Sequence, residues 1–195
     1  MIKKLKHSNK IVEKKAKHVS FLEKLAANTS IDEFIAKGMI EFSEYTIEFY
    51  EVIGDILEEI GFSKVSVTRE GDTNNRMDAI IIDERRSIPI EIKSPKETEY
   101  VNVKSIRQAL ENKIVLVSRR FYSTEKDVTS LAIGYKYPNV RSGIYEAIDD
   151  IFDTFNIKVG VISFSSLLRI FYEMTINKEC VDLEKIYYLK GRIDD

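Results

Sequence analysis

The spacing of apolar residues changes near Gly61 and divides the chain into a helical part and a sheet-forming part. From Phe49 to Ile60, apolar side chains recur every three or four residues, which is the spacing of one helix face, and Gly61 ends the pattern. Ser30 and Glu33 have the spacing of an N-terminal capping box. Residues 31–60 are therefore predicted to form one or two long helices.

Beyond Gly61 the apolar residues alternate with polar ones or form short unbroken runs, which is the pattern of β-strands. Four segments are predicted as strands: residues 64–69, 78–82, 88–93 and 113–118. Residues 103–113, between the third and the fourth, have a helical composition. A strand, a helix and a strand in succession predict a right-handed crossover that pairs the two strands in parallel.

The rest of the chain adds helices and one more strand. Residues 142–155 are predicted as a helix, "KVGVISF" as a strand, and residues 165–175 and 183–189 as closing helices. The predicted fold class is α/β, with a central mixed β-sheet flanked by helices. We expect one domain, with a basic helical segment at residues 1–30 before a core at residues 31–195.

Charge is unevenly distributed along the chain. The formal net charge is −2, but residues 1–30 hold eight lysines against Glu13 and Glu23, which leaves −8 on the other 165 residues. The lysines either contact a polyanion or only solvate a frayed helix, and the sequence leaves both open. His7 and His18 lie in this segment without metal-ligand spacing, so both are predicted to be solvent-exposed.

The cysteine content and the lengths of the apolar runs indicate the cellular compartment. One cysteine, Cys180, excludes an intramolecular disulfide, and the lysine-rich N-terminal stretch lacks an apolar leader. No apolar run approaches the roughly 20 residues that span a bilayer. We therefore expect a cytoplasmic protein with no membrane partner.

Three polar residues stand out in the isoleucine-rich stretch "RMDAIIIDERRSIPIEIKSP": Asp78, Glu91 and Lys93. If residues 78–83 and 88–93 form a hairpin, a two-residue loop at 84–85 places Asp78 opposite Glu91, and one at 85–86 places it opposite Lys93. Either register brings the three side chains together. An odd loop without a bulge would turn Asp78 away.

Two adjacent carboxylates repel each other, and their co-location is explained either by a hard divalent cation or by a neighbouring cation such as Lys93. A Mg²⁺ ion held by Asp78, Glu91 and the backbone carbonyl of Ile92 could bind a phosphate oxygen, and Lys93 would then orient or help deprotonate the attacking water. That chemistry is phosphodiester hydrolysis. The alternative is a solvated ion pair on an amphipathic strand, but both carboxylates lie in strands that are predicted to be buried, where a charge needs a partner.

These residues resemble the PD-(D/E)xK nuclease superfamily, with Met77-Asp78 and Glu91-Ile92-Lys93 as the two half-motifs, although the proline is absent. The resemblance implies a restriction-endonuclease-like fold and a helix glutamate in "FYEVIGDILEEIGF", which is either Glu51 or Glu48. It also implies a helix beside the site, whose Lys104, Arg107 and Gln108 would contact phosphates or support the site.

A narrower resemblance covers roughly residues 45–193. The segments "IVLVSRRF", "VGVISFSSLLRIFYEM" and "VDLEKIYYLKGRI" are similar to the cleavage module of FokI-type (Type IIS) restriction endonucleases. This implies Mg²⁺, for which Mn²⁺ can substitute, double-stranded DNA as partner, and no nucleotide cofactor. The aromatic clusters "IFY" and "IYY" are predicted to pack in a core or an interface.

The resemblance covers most of the chain, and no DNA-reading motif is evident in the remainder. The chain therefore looks like the small catalytic subunit of a heterodimeric Type IIS enzyme, whose larger subunit recognises the sequence and cuts the other strand. Two alternatives stay open. One is a self-sufficient nuclease of relaxed or structure specificity, and the other is a non-catalytic DNA-binding or assembly module of the same fold.

Overall fold

The N-terminal half of the chain begins with three helices. The structure, a computed structural model, describes residues 16–68, 77–120, 122–139 and 141–193. Its first helices are α1 (Lys17–Ala26), α2 (Ile31–Glu41) and α3 (Ile47–Glu59), which confirms the helices predicted between residues 31 and 60. Ser30 is the N-cap residue of α2, although its hydroxyl makes no capping hydrogen bond.

A mixed sheet follows, and its described part contains six strands in chain order. They are β1 (Val65–Val67), β2 (Ala79–Ile81), β3 (Ile88–Lys93), β4 (Ser130–Gly134), β5 (Val159–Ser163) and β6 (Gly191–Arg192). The first three strands pair antiparallel, and the pairs from β3 to β6 are parallel. The predicted mixed sheet is confirmed.

The prediction of a strand at residues 113–118 is wrong. These residues belong to helix α4 (Val103–Arg119), and the strand that pairs with β3 in parallel is β4. In α4, Leu116 is buried whereas Ile114 and Val117 are 44% and 40% exposed. A short apolar run does not distinguish a strand from one side of a helix. The parallel strand–helix–strand crossover was therefore predicted correctly, but its second strand was assigned to the wrong residues.

The closing elements agree with the predicted pattern. Helix α5 spans Ile144–Phe155, α6 spans Phe164–Tyr172 and continues as a π-helical turn at Glu173–Asn177, and α7 spans Leu183–Tyr187. Phe171 and Tyr187, from the two aromatic clusters, are buried, which confirms that these clusters pack in the core. None of the described helices has both the length and the apolar content needed to cross a membrane.

Helices cover both faces of the sheet and form two apolar clusters. One cluster, which includes Ile90 and Ile92, packs against α1, α2, α3 and α6. The other includes Ala132 and packs against α4 and α5. Glu91 pairs with Ala132, and successive strand residues face opposite sides, so Glu91 and Lys93 lie on the α4 side of the sheet.

The described part of the basic segment is packed. Helix α1 buries Val19, Leu22 and Ala26, so it is not frayed beyond residue 17. The prediction that His18 is solvent-exposed is wrong, because its Nδ1 lies 3.1 Å from Asp55 Oδ2 on α3. His7 and six of the lysines, at residues 1–15, lie outside the described residues.

Close packing under the sheet predicts the effect of one substitution. A Cβ at Gly160 would lie within 2.9 Å of carbons of both Leu189 and Leu131. Overpacking of this kind costs about 1–3 kcal/mol, so Gly160→Ala should lower the free energy of unfolding by that amount in urea titrations. Gly38→Ala is the control: it meets one flexible side chain, Leu168, and gains helix propensity, so a loss as large as that of Gly160→Ala would contradict the packing argument.

Candidate active site at the end of a hairpin

The register of the β2–β3 hairpin decides whether the three predicted polar residues meet. Ala79 pairs with Ile90, and Ile81 pairs with Ile88. One more step along this register places Asp78 opposite Glu91, as in the first of the two registers predicted from the sequence. The structure therefore brings Asp78, Glu91 and Lys93 to the same end and the same face of the sheet.

Local hydrogen bonds in the connecting turn fix this register. Oδ1 of Asp83 accepts hydrogen bonds from the backbone N–H groups of Arg85 at 2.9 Å and Arg86 at 2.8 Å. The Ser87 hydroxyl donates to the Asp83 carbonyl at 2.9 Å. An aspartate that binds the backbone two and three residues ahead closes a tight turn, so the sequence "DERRS" itself aligns the two strands.

Asp78 lies directly before β2, and its carboxylate reaches across to β3. Its Oδ2 accepts a hydrogen bond from the backbone N–H of Ile92 at 2.8 Å. Burial, followed by the negative charge of Glu91, raises the pKa of Asp78 to about 7, against the lowering effects of the Ile92 N–H and the Lys93 charge. The carboxylate of Asp78 is thus held in a position where its negative charge is poorly compensated.

Glu91 is a buried carboxylate whose two oxygens have different partners. The residue is 3% exposed, and Lys93 Nζ lies 2.8 Å from its Oε1. The side-chain amide of Asn112, on α4, donates to Oε2 at 3.2 Å. Both contacts fix the orientation of the carboxylate.

Lys93 lies between two carboxylates. Its ammonium group is 2.8 Å from Glu91 Oε1 and 4.0 Å from Glu97 Oε1. Burial lowers the pKa of Lys93, but the hydrogen bond and charge of Glu91, with the charges of Glu97 and Asp78, outweigh it and raise the pKa overall. Lys93 is therefore a charged ammonium in the metal-free protein.

The sequence did not indicate the residues that surround this group. Glu97 Oε2 accepts hydrogen bonds from the Tyr50 hydroxyl at 3.0 Å and from the Ser94 backbone N–H at 2.9 Å. Burial, with the charges of Asp78 and Glu97, raises the pKa of Tyr50 far above its usual value, so the phenol stays neutral. Among these residues, only Glu97 could have been suspected from the sequence, because it follows Lys93 by four residues. Tyr50 and Asn112 come from helices that are distant along the chain.

Glu51 and Glu48, the candidates for a helix carboxylate, do not join the group. Both are exposed on α3, and Glu48 accepts a weak hydrogen bond from Thr46. Among the described residues, no three or more His, Cys, Asp or Glu side chains converge to hold a metal. The residue by which α3 reaches the site is Tyr50, and a metal-binding role for either glutamate remains a prediction.

Helix α4 lies beside the site, where the sequence places Lys104, Arg107 and Gln108. Lys104 and Arg107 are exposed on its first two turns. Gln108 is half-buried, and its buried Oε1 has no hydrogen-bond partner among the described residues. Since α4 contacts Glu91 through Asn112, one turn beyond Gln108, the predicted helix beside the site is present, whereas contacts of these three residues with DNA remain a prediction.

The oxygen donors fit a hard divalent cation. Asp78 and Glu91 are neighbours in the register, and the N–H and C=O of a strand residue point to the same side, so the Ile92 carbonyl lies on the side of Asp78. Mg²⁺ in proteins is commonly held by one or two carboxylates and keeps water or substrate oxygens as its other ligands. A cation there would offset the repulsion that raises the pKa of Asp78.

The raised pKa of Asp78 predicts how the metal-free protein responds to pH. In the unfolded chain an aspartate ionises near pH 4, so between about pH 4 and pH 7 only the unfolded state loses this proton, and stability falls as the pH rises. Asp78→Asn removes this titration and keeps an acceptor for Ile92. Its unfolding free energy should exceed that of the wild type by about 1–3 kcal/mol at pH 8 in EDTA, but hardly at pH 4, in urea titrations.

Asp83→Asn, on the same hairpin, is a control of opposite sign. The N–H of Arg85 is the main cause that lowers the pKa of Asp83, so this variant should lose stability relative to the wild type as the pH rises from acid to neutral. An Asp78→Asn variant that is less stable than the wild type at pH 8 would contradict the electrostatic account of the site.

Comparisons with known proteins bear on the fold. The sequence matches no model of a known protein family and no curated protein. The structure is similar to that of the restriction endonuclease FokI bound to DNA, with a TM-score of 0.58 and 14% sequence identity over 93% of this chain. The chain has a restriction-endonuclease-like fold. It spans 34% of the length of that FokI chain, and at this identity the likeness concerns the fold alone.

Proposed function

We propose that this chain is a Mg²⁺-dependent deoxyribonuclease of the PD-(D/E)xK type. The observation that carries the proposal is the position of Asp78, Glu91 and Lys93, which meet at the end of one hairpin in a restriction-endonuclease-like fold. Glu91 is buried and both Asp78 and Lys93 are partly buried, and burial of charged groups costs stability unless other charges offset it. A cation and a phosphodiester supply the missing charges.

Each residue has a distinct part in the hydrolysis. Asp78, Glu91 and the Ile92 carbonyl would hold the ion, which when bound polarises the phosphodiester and lowers the pKa of a bound water. Lys93 orients the attacking water and balances negative charge that develops on phosphorus oxygens. The water loses a proton to solvent as its oxygen forms the new P–O bond, the bond between phosphorus and the leaving sugar oxygen breaks, and that oxygen takes up a proton from solvent.

Contacts with DNA have to overcome the negative charge of the chain. Residues 31–195 carry −8, and Glu97 lies at the site, with its Oε1 4.0 Å from Lys93 Nζ. Lys104 and Arg107 are exposed on α4 and pair with no carboxylate among the described residues, so we propose that they contact the phosphate backbone. Neutralisation by the ion adds to this attraction.

We further propose that sequence recognition comes from a larger partner chain, as in a heterodimeric Type IIS enzyme of which this chain is the small catalytic subunit. The similar FokI chain is about three times as long as the region that matches. The described residues of this protein form one sheet with a helical layer on each face, without a separate DNA-reading unit. Mn²⁺ is expected to replace Mg²⁺, and no nucleotide is required.

A plasmid-nicking assay tests both levels of the proposal. The isolated chain should show at most weak, non-specific nicking of supercoiled DNA in Mg²⁺ or Mn²⁺ and none in EDTA, and a candidate recognition chain encoded nearby should make cleavage strong and site-specific. Strong sequence-specific cleavage by the isolated chain would overturn the subunit proposal and favour a self-sufficient nuclease. Breaks that persist in EDTA would overturn the metal-dependent proposal itself.

A further inference from the structure

Asn112 is a buried polar residue with one notable partner. It lies on α4, is 5% exposed, and its Nδ2 donates a hydrogen bond to Glu91 Oε2 at 3.2 Å. The other buried residues of α4 are Ser105, Ile106, Ala109, Lys113 and Leu116. An amide that is buried and directed at a buried carboxylate calls for an explanation in terms of that carboxylate.

Helix α4, which carries Asn112, is capped at its N-terminus and anchored to the rest of the fold along its length. At its N-terminus the Asn102 side chain accepts a hydrogen bond from Ser105 N at 3.0 Å, and in its middle the Ser130 hydroxyl of β4 donates to the Ala109 carbonyl at 2.7 Å. On the next turn, buried Lys113 donates to the Glu125 carbonyl at 2.7 Å. Asn112 therefore presents its amide to Glu91 from a fixed position.

The chemistry of an amide suits this place. An amide holds Glu91 Oε2 with a neutral donor, whereas a lysine or arginine would compete with a cation for the carboxylate, and an aspartate or glutamate would repel it. Fixing a glutamate side chain that is otherwise free to rotate also removes part of the conformational entropy cost of ion binding. The second lone pair of each carboxylate oxygen stays available.

We propose that Asn112 is a positioning residue, which orients Glu91 as a ligand of the divalent cation. This inference rests on the proposed function and adds a residue that the half-motifs do not contain. Asn112 acts from outside the metal's own ligands, in the way that hydrogen-bond partners of ligating carboxylates do in other metal sites. Helix α4 is then a supporting element of the metal site, beyond any role as a surface for DNA.

The affinity of the metal-free protein for Mn²⁺, measured by isothermal titration calorimetry without DNA, tests this inference independently of cleavage. Asn112→Leu keeps the branched shape of the side chain and removes the donor, and it should weaken Mn²⁺ binding by about 10- to 100-fold. Asn112→Gln keeps the amide and should restore part of this loss. If Asn112→Leu does not fold, Asn112→Ala is measured in its place, with the same weakening expected.

Leu116→Ala is the matched control, because it creates a cavity on the same buried face of α4 without touching Glu91. It should lower stability and leave the Mn²⁺ affinity within about twofold of the wild type. Suppose that Asn112→Leu binds Mn²⁺ as tightly as the wild type does, whereas Glu91→Gln does not bind it. The positioning role of Asn112 is then overturned, and the proposed metal site is retained. If the wild type binds no Mn²⁺, or Glu91→Gln binds it normally, the proposed site is overturned as well.

Discussion

If Asp78 holds the ion as proposed, Asp78→Asn is expected to lower the rate of Mg²⁺-dependent DNA cleavage by about 10³-fold or more, since loss of a metal-binding carboxylate removes several kcal/mol of transition-state stabilisation. Asn keeps an oxygen that can accept the hydrogen bond from Ile92 N–H, so the hairpin should fold as before. The same substitution is predicted to stabilise the metal-free protein at pH 8. Lost activity in a more stable protein would separate a functional role of Asp78 from a structural one.

Cleavage is measured under single-turnover conditions, with the isolated chain and with the recognition chain. The control is Asp83→Asn, on the same hairpin but at its turn, where the carboxylate binds backbone N–H groups and the Tyr187 hydroxyl. This variant should cleave within a few-fold of the wild type. An Asp78→Asn variant that cleaves as fast as Asp83→Asn would remove Asp78 from the proposed site.

Lys93→Met is expected to slow cleavage by about 10²- to 10⁴-fold, the usual contribution of a group that orients or activates a nucleophile. Its effect should differ from that of Asp78→Asn, because Lys93 does not hold the ion. With the ammonium removed, Glu91 Oε1 loses its partner at 2.8 Å, and Mn²⁺ binding should stay the same or become tighter. Lys93→Met should therefore lower the cleavage rate without weakening the binding of Mn²⁺.

Lys96→Met provides the comparison, since Lys96 is a nearby lysine whose side chain is 47% exposed and paired with Glu44. Its loss should change neither the cleavage rate nor Mn²⁺ binding by more than a few-fold, because an exposed ion pair contributes little. If Lys93→Met cleaves DNA as well as Lys96→Met does, Lys93 has no part in the reaction.

The hairpin and its three polar residues could be predicted because their geometry is local. Side chains alternate along a strand, and "DERRS" closes the turn through hydrogen bonds within four residues, so the relation of Asp78 to Glu91 follows from a few positions. The mixed sheet could be predicted for a similar reason. A strand, a helix and a strand in sequence are typical of a parallel pair.

The fourth strand was misplaced because the apolar run at 113–118 is ambiguous without its surroundings. Ile114 and Val117 lie on the exposed side of α4, a fact that only tertiary packing reveals. Strand β4 is the short run "SLAIG", which the sequence analysis did not single out. Short apolar runs fit both the helical spacing and the strand spacing of apolar residues, so their assignment depends on contacts with residues that are distant in the sequence.

The surroundings of the site could not be predicted because they join distant segments. Tyr50 meets Glu97 across 47 positions, and Asn112 meets Glu91 across 21. Helical spacing located α3 correctly, but it did not show which of its residues reaches the site, and Tyr50 does so rather than the adjacent Glu51. The half-motifs cover only the residues of one hairpin, whereas the residues that contact this hairpin come from whichever helix packs on the sheet.

The central claim is that the end of the β2–β3 hairpin holds a catalytic divalent cation. The most direct measurement is the anomalous difference density of crystals soaked in Mn²⁺. The account predicts a peak in contact with carboxylate oxygens of Asp78 and Glu91 and with the Ile92 carbonyl, and no such peak in Asp78→Asn crystals. Crystals in saturating Mn²⁺ that show no peak at these three groups would contradict it.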